Sequence, residues 1–114
     1  MNDADAIMYT LRSLQAKATG LADGAKDAAV IGPPNREPSA SFARDYNNLV
    51  IRVGEACPAL RPILPPQGAT SVSTYGSEYS ELTYSEIHSH CKQIIEMLGV
   101  EIQTILDAPR KEEA

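Results

Sequence analysis

The stretch LTYSEIHSHCKQIIEMLGVEIQTIL, residues 82–106, decides the fold. Thr83 can cap a helix and Glu86 stands at its third position, so each side chain can satisfy an orphan backbone amide of the other residue. Leu82 before the cap and Ile87 after it form the apolar pair of a hydrophobic staple. From there Ile87, Cys91, Ile94, Ile95, Leu98, Ile102, Ile105 and Leu106 recur on one face. At about 100° per residue they cover an arc of roughly 120°, the width of a core-facing stripe. Pro109 and the charged tail 108–114 end the pattern. The spacing predicts a helix over 84–107 that requires a partner surface.

Two further helices are predicted upstream. The first begins at Asn2 or Asp3 as cap and places Ile7, Leu11, Leu14, Ala18, Leu21, Ala25 and Ala28 at alternating spacings of four and three, a heptad seam. Gly20 and Gly24 interrupt it, each costing about 1 kcal/mol relative to alanine. Either the helix stops near Gly20 or it runs to Ile31. The longer reading is favoured, because residues 25–29 are good helix formers and Gly32-Pro33-Pro34 is the sharper stop. After a Pro-rich connector, Ser39 or Ser41 caps a second helix over 40–57. Its stripe is Phe42, Tyr46, Leu49, Val50, Val53 and Ala56, with Ile51 pointing away from it.

Residues 58–82 form the longest irregular stretch. Its first part, to Pro66, mixes prolines with Leu60, Ile63 and Leu64; it is read as extended or tightly turned, with the aliphatics packed across the end of the helical layer. Its second part is rich in Ser, Thr, Gly and Tyr, with a short strand around 70–75. The fold class is therefore all-α: three amphipathic helices in a bundle or hairpin, with a long Pro- then Tyr/Ser-rich loop before the last helix, in a single domain over 1–114.

Composition narrows the function classes. Ten basic residues stand against fifteen acidic ones, a net charge of −5, with no dense Lys/Arg stripe. That argues against nucleic-acid binding and against a basic membrane-surface helix. The start is acidic rather than basic-then-apolar, and no apolar run nears the roughly 20 residues of a membrane span. The expected location is cytoplasmic. With no Trp and one Phe, the core must be aliphatic and alanine-rich.

Three residues carry metal or thiol chemistry side by side: His88, His90 and Cys91. On a helix the two histidines lie roughly 160° apart and cannot share an ion. Cys91 falls in the apolar stripe, where a buried thiol is an ordinary occupant. Cys57 sits at a helix C-terminus, whose dipole raises a thiol pKa. Phosphate-binding glycine loops and nucleophile elbows are lacking. No catalytic residue, metal or cofactor is expected.

What remains is surface. Tyr75, Tyr79 and Tyr84 lie in a stretch whose composition suits adaptable contacts. The third helix, about 36 Å long, outreaches the second, so part of its stripe is left for another chain. The expected interaction surface is Tyr75, Tyr79 and Tyr84 with Leu98, Ile102, Ile105 and Leu106. The expected function is a non-enzymatic helical module for protein–protein interaction, self-associating or the small helical subunit of a larger complex. The alternatives are an acidic regulator of a basic partner, and a small-molecule sensor with a pocket beside the Tyr75–Tyr84 loop.

Overall fold

The computed structural model describes residues 3–31, 38–68, 70–72, 78–80 and 82–108. The fold is all-α. Helix α1 spans Asp3–Ile31, α2 Ala40–Ala56 and α3 Tyr84–Asp107. A six-residue 3-10 helix, Pro58–Ile63, follows α2, and two three-residue strands, β1 (Thr70–Val72) and β2 (Glu78–Ser80), pair antiparallel before α3. The cap expected at Asn2 and the stop at Gly32-Pro33-Pro34 fall outside the described residues, but α1 runs unbroken through Gly20 and Gly24.

Helix α3 begins as its sequence requires. Thr83 Oγ1 accepts from the Glu86 amide at 3.1 Å, and the Glu86 carboxylate accepts from the Thr83 amide at 3.0 Å. Ile87 is fully buried and Leu82 packs against the same core. Of the two candidate caps for α2, Ser39 holds the position, its hydroxyl accepting from the Phe42 amide at 3.3 Å.

Two long-range hydrogen bonds fix how α1 lies on α3. The Gln15 amide donates to the Ile95 carbonyl at 3.2 Å, and His88 Nδ1 lies 3.0 Å from the Ala22 carbonyl. A carbonyl only accepts, so that ring nitrogen carries the proton. Residue numbers rise along one helix as they fall along the other, so the two are antiparallel. Helix α2 runs parallel to α3: the Phe42 ring meets Tyr84 edge-on at 5.2 Å, Tyr46 stacks on His90 at 6.1 Å, and Cys57 neighbours Glu101. His88 and His90 thus do point to opposite sides of α3, one to α1 and one to α2.

The three helices enclose one core of Leu11, Leu14, Tyr46, Leu49, Val53, Ile87, Cys91, Ile94 and Leu98, with Ala18, Ala22 and Ala25 lining α1. Small side chains let α1 approach α3 closely, which is how an alanine-rich chain closes a core without tryptophan. Some predicted stripe positions differ. Ala22, not Leu21, is fully buried on α1, because α3 sits on that flank and His88 reaches the Ala22 carbonyl. Ile7, predicted to lie in the seam, is 48% exposed.

The segment after α2 is wound more tightly than an extended strand. Pro58 takes a first-turn position, where its missing amide costs nothing, and Leu60 donates to the Cys57 carbonyl at 2.9 Å. Leu60 is buried, whereas Ile63, predicted to pack beside it, is exposed. At three residues per turn, Leu60 and Ile63 share a face of the 3-10 helix. Leu60 occupies the part of that face against the core and Ile63 lies past the core's edge, near Met97 and Val100.

From Leu64 the chain doubles back along α2 as a strap. Arg61 Nε donates to the Gly54 carbonyl at 3.0 Å, and the Tyr46 hydroxyl donates to the Pro66 carbonyl at 2.8 Å. Asn47 accepts from the Gly68 amide at 2.8 Å and donates to the Gly68 carbonyl at 2.9 Å. One side-chain amide thereby replaces the two backbone partners that a sheet would have given Gly68.

Candidate functional site

The predicted surface divides once the helices are placed. Leu98 is fully buried and Ile102 is 8% exposed, both inside the chain's own core, so neither is part of an exposed surface. Ile105 is half-buried and Leu106 is 56% exposed. Tyr84 is half-buried with its ring edge on Phe42. Tyr79 lies in β2 opposite Ser71, and Tyr75 lies outside the described residues. Tyr84 and the end of α3 are not brought together, since Tyr84 opens α3 and Leu106 closes it.

The geometry instead marks out one end of the bundle. Helix α2 has 17 residues, α1 29 and α3 24; at about 1.5 Å per residue, α2 is some 10 Å shorter than α3. Because α2 and α3 start level, with Phe42 beside Tyr84, the shortfall falls entirely at the far end. There, among the described residues, the last turns of α3 lie against the first turns of α1 without a third α-helix.

A comparison within each helix shows what that does. Residues 18 apart point the same way, because about five turns separate them. On α1, Ala25 and Ile7 are such a pair: Ala25 is fully buried, and Ile7 is 48% exposed. On α3, Ile87 is fully buried while its equivalent Ile105 is half-buried. Same direction, same helix, different cover. Ile7 and Ile105 are thus incompletely covered aliphatics at this open end, near Thr10 and Thr104, whose hydroxyls donate to carbonyls one turn back in their own helices. Sequence reasoning placed Ile7 in the core; the signal that it lies at an open end was the mismatch in helix lengths.

Charge around this end is acidic on balance, with one basic side chain, Arg12, beside Asp5 on the outer face of α1. Both α2 and α3 terminate toward it, and neither carries a basic residue in its last turn. The first turn of α1 brings Asp3 and Asp5. Asp107 closes α3, accepting from the Gln103 amide at 2.9 Å. Arg61, the nearest basic side chain after α2, is held on the Gly54 carbonyl.

The groups with reactive chemistry sit elsewhere, and burial quiets them. The Cys91 thiol is fully buried and its pKa is pushed up to about 11. Cys57 is raised as well, first by burial and then by the Glu101 carboxylate beside it. Burial, with a smaller contribution from Cys91, also raises the Tyr46 hydroxyl. A thiolate is the nucleophile, so raised thiols are poor ones. His90 Nδ1 is buried without a hydrogen-bond partner among the described residues. Among those residues no three His, Cys, Asp or Glu side chains gather closely enough to hold a metal ion, and no helix is long and apolar enough to cross a membrane. Shallow grooves lie between α2 and the strap, along the outer face of α1, and around Ile63, Met97 and Val100.

Compared with protein-family models, with curated proteins and with solved structures, the chain matches none.

Proposed function

We propose that this chain is a non-catalytic helical interaction module that docks a protein segment at the open end formed by the start of α1 and the end of α3. The observation that carries the reading is the paired contrast of Ala25 with Ile7 and of Ile87 with Ile105: equivalent positions are covered where α2 runs and uncovered where it stops. Each uncovered aliphatic leaves apolar area in water that a docked side chain would remove, at about 25 cal/mol per Å². The raised thiol pKa values support a non-catalytic role, because neither cysteine is poised as a nucleophile.

The test is absolute mass by light scattering over a dilution series, for the native chain and for Ile7→Asn. Ile7 is the suitable target; Ile102 is buried, so its substitution would report on folding rather than docking. A native dimer that Ile7→Asn turns into a folded monomer identifies the occupant as a second copy. A native monomer leaves the end for another protein, which synthetic amphipathic helices then probe. The reading fails if the chain is monomeric and no such helix binds.

A further inference from the structure

The interaction reading leaves open what fills the open end, and we infer that its occupant is an amphipathic helix of a different protein, with an apolar stripe flanked by lysine or arginine. The inference rests on that reading and adds the partner's chemistry.

The shape of the vacancy specifies a helix. Over most of the bundle α2 packs against α1 and α3, with Leu49, Val53 and Tyr46 in the shared core. Beyond Ala56, α3 continues for about two turns, at a level where Ile7 is exposed and Ile105 half-buried. A helix is what covers α1 and α3 over the rest of the bundle, so the uncovered part suits another one. Two to three turns, with side chains at i, i+3 or i+4 and i+7, would span it.

The charge specifies the flanks. Helices α2 and α3 are parallel, so both direct the negative ends of their dipoles at this vacancy and neither last turn carries a basic residue; the positive end of α1 also lies here, already met by Asp3 and Asp5 in its own first turn. At about 100° per residue, Asp3 points along α1 with Ile7, and Glu101 lies on the α2-facing side of α3 beside Cys57. The tail beyond α3 does not reverse the balance: in residues 109–114, Arg110 and Lys111 are matched by Glu112 and Glu113. A second copy would bring the same acidic groups and the same dipole ends against these. Like charges face to face disfavour it, whereas a basic flank supplies the cations both helix ends lack.

The experiment uses the full chain and two synthetic helical peptides with the same leucine stripe, one flanked by lysine and the other by glutamate, followed by fluorescence anisotropy. An interface this small is weak, so the lysine peptide is expected to bind in the micromolar range, with the glutamate peptide at least about tenfold weaker. Raising the salt from about 0.05 to 0.3 M should weaken the lysine peptide several-fold by screening. Ile7→Asn should weaken it about tenfold. The pair Asp3→Asn with Glu101→Gln should abolish most of the preference for lysine. Val30→Asn, an exposed aliphatic at the opposite end of α1, should change nothing. Circular dichroism confirms that each variant is folded.

Equal binding of the two peptides, or lysine-peptide binding indifferent to Ile7→Asn, would overturn the inference. So would a native dimer that Ile7→Asn dissociates, although the interaction reading would then stand with a second copy as occupant. A monomer that binds neither peptide would sink both.

Discussion

The two ends of this bundle are built from similar residues and differ in what covers them. At the end where α2 and α3 begin, Ala25, Phe42, Tyr84 and Ile87 close the helices over one another, and the Thr83–Glu86 capping box finishes α3. At the other end Ile7 and Ile105 offer apolar surface of the same kind, with two α-helices among the described residues where there were three. Burial here is decided by the length of a neighbour and not by the residue itself. A heptad pattern tells which way a side chain points; it cannot tell whether anything is waiting there.

The largest expected effect tests that contrast directly. Ile87→Ala removes a fully buried side chain and should cost about 2–5 kcal/mol, whereas Ile105→Ala at the equivalent position should cost about 1 kcal/mol. Urea denaturation measures both. Equal losses would mean that the far end is as well packed as the near one, and the distinction between the ends would collapse.

Alkaline pH sharpens the same comparison through the thiols. Cys91 lies in the covered part of the core with its pKa raised from 9.0 to about 11; Cys57 sits half-buried where α2 stops and is raised in the same direction. A raised acid holds its proton longer when folded than when unfolded. Stability is therefore unaffected below the unfolded value near 9 and declines as pH climbs from there toward 11. For Cys91 alone the loss should reach about 2–3 kcal/mol, at about 1.4 kcal/mol per pH unit. Cys91→Ala should flatten that part of the stability–pH curve. A disulfide reagent should label Cys57 first and Cys91 only on unfolding; equal rates would show that the covered half is not closed.

Much of this was legible in sequence because the signals were local. The capping box at Thr83, the run of α1 to Ile31, the core placement of Cys91 and the divergence of His88 and His90 each follow from spacing within one helix. What was not legible depended on partners far along the chain. Ala22 is buried because His88, 66 positions later, brings α3 to its flank. Ile63 is exposed because the 3-10 helix carries it past the core's edge. Asn47 gave no sign of its role, since the backbone it clamps lies 21 residues away at Gly68. The candidate site was half visible: the unequal helix lengths pointed to uncovered surface at the end of α3. Leu98 and Ile102 share a stripe with Ile105 and Leu106, and only the register between the helices shows that they lie inside the core.

The strap offers a smaller test of how the covered half is held. Asn47→Ala would leave the Gly68 amide and carbonyl without their side-chain partner and should cost about 1–2 kcal/mol. Asn47→Asp keeps the acceptor for the Gly68 amide but sets a carboxylate oxygen against the Gly68 carbonyl, so it should cost at least as much as Asn47→Ala. If hydrogen exchange in the open-end turns of α1 and α3 is unchanged in both variants while the amides of α2 loosen, the strap serves α2 alone.

The smallest effect concerns the element common to both ends. Gly20 lies in the exposed middle of α1, and a Cβ added there would meet nothing within 4 Å. Gly20→Ala removes a glycine's conformational freedom from the unfolded chain without disturbing a contact, so it should stabilise the protein by up to about 1 kcal/mol. Gly54→Ala is the counterpart, because a Cβ there would come within 3.2 Å of the Arg61 side chain and press on the start of the strap. The sign of the Gly20 effect bears on the open end. A gain means that α1 is one continuous helix, so the part that Gln15 and His88 lock onto α3 also holds Ile7 at the edge of the vacancy. A loss would mean that α1 bends at Gly20, and the direction shared by Ile7 and Ala25, five turns apart, would no longer hold.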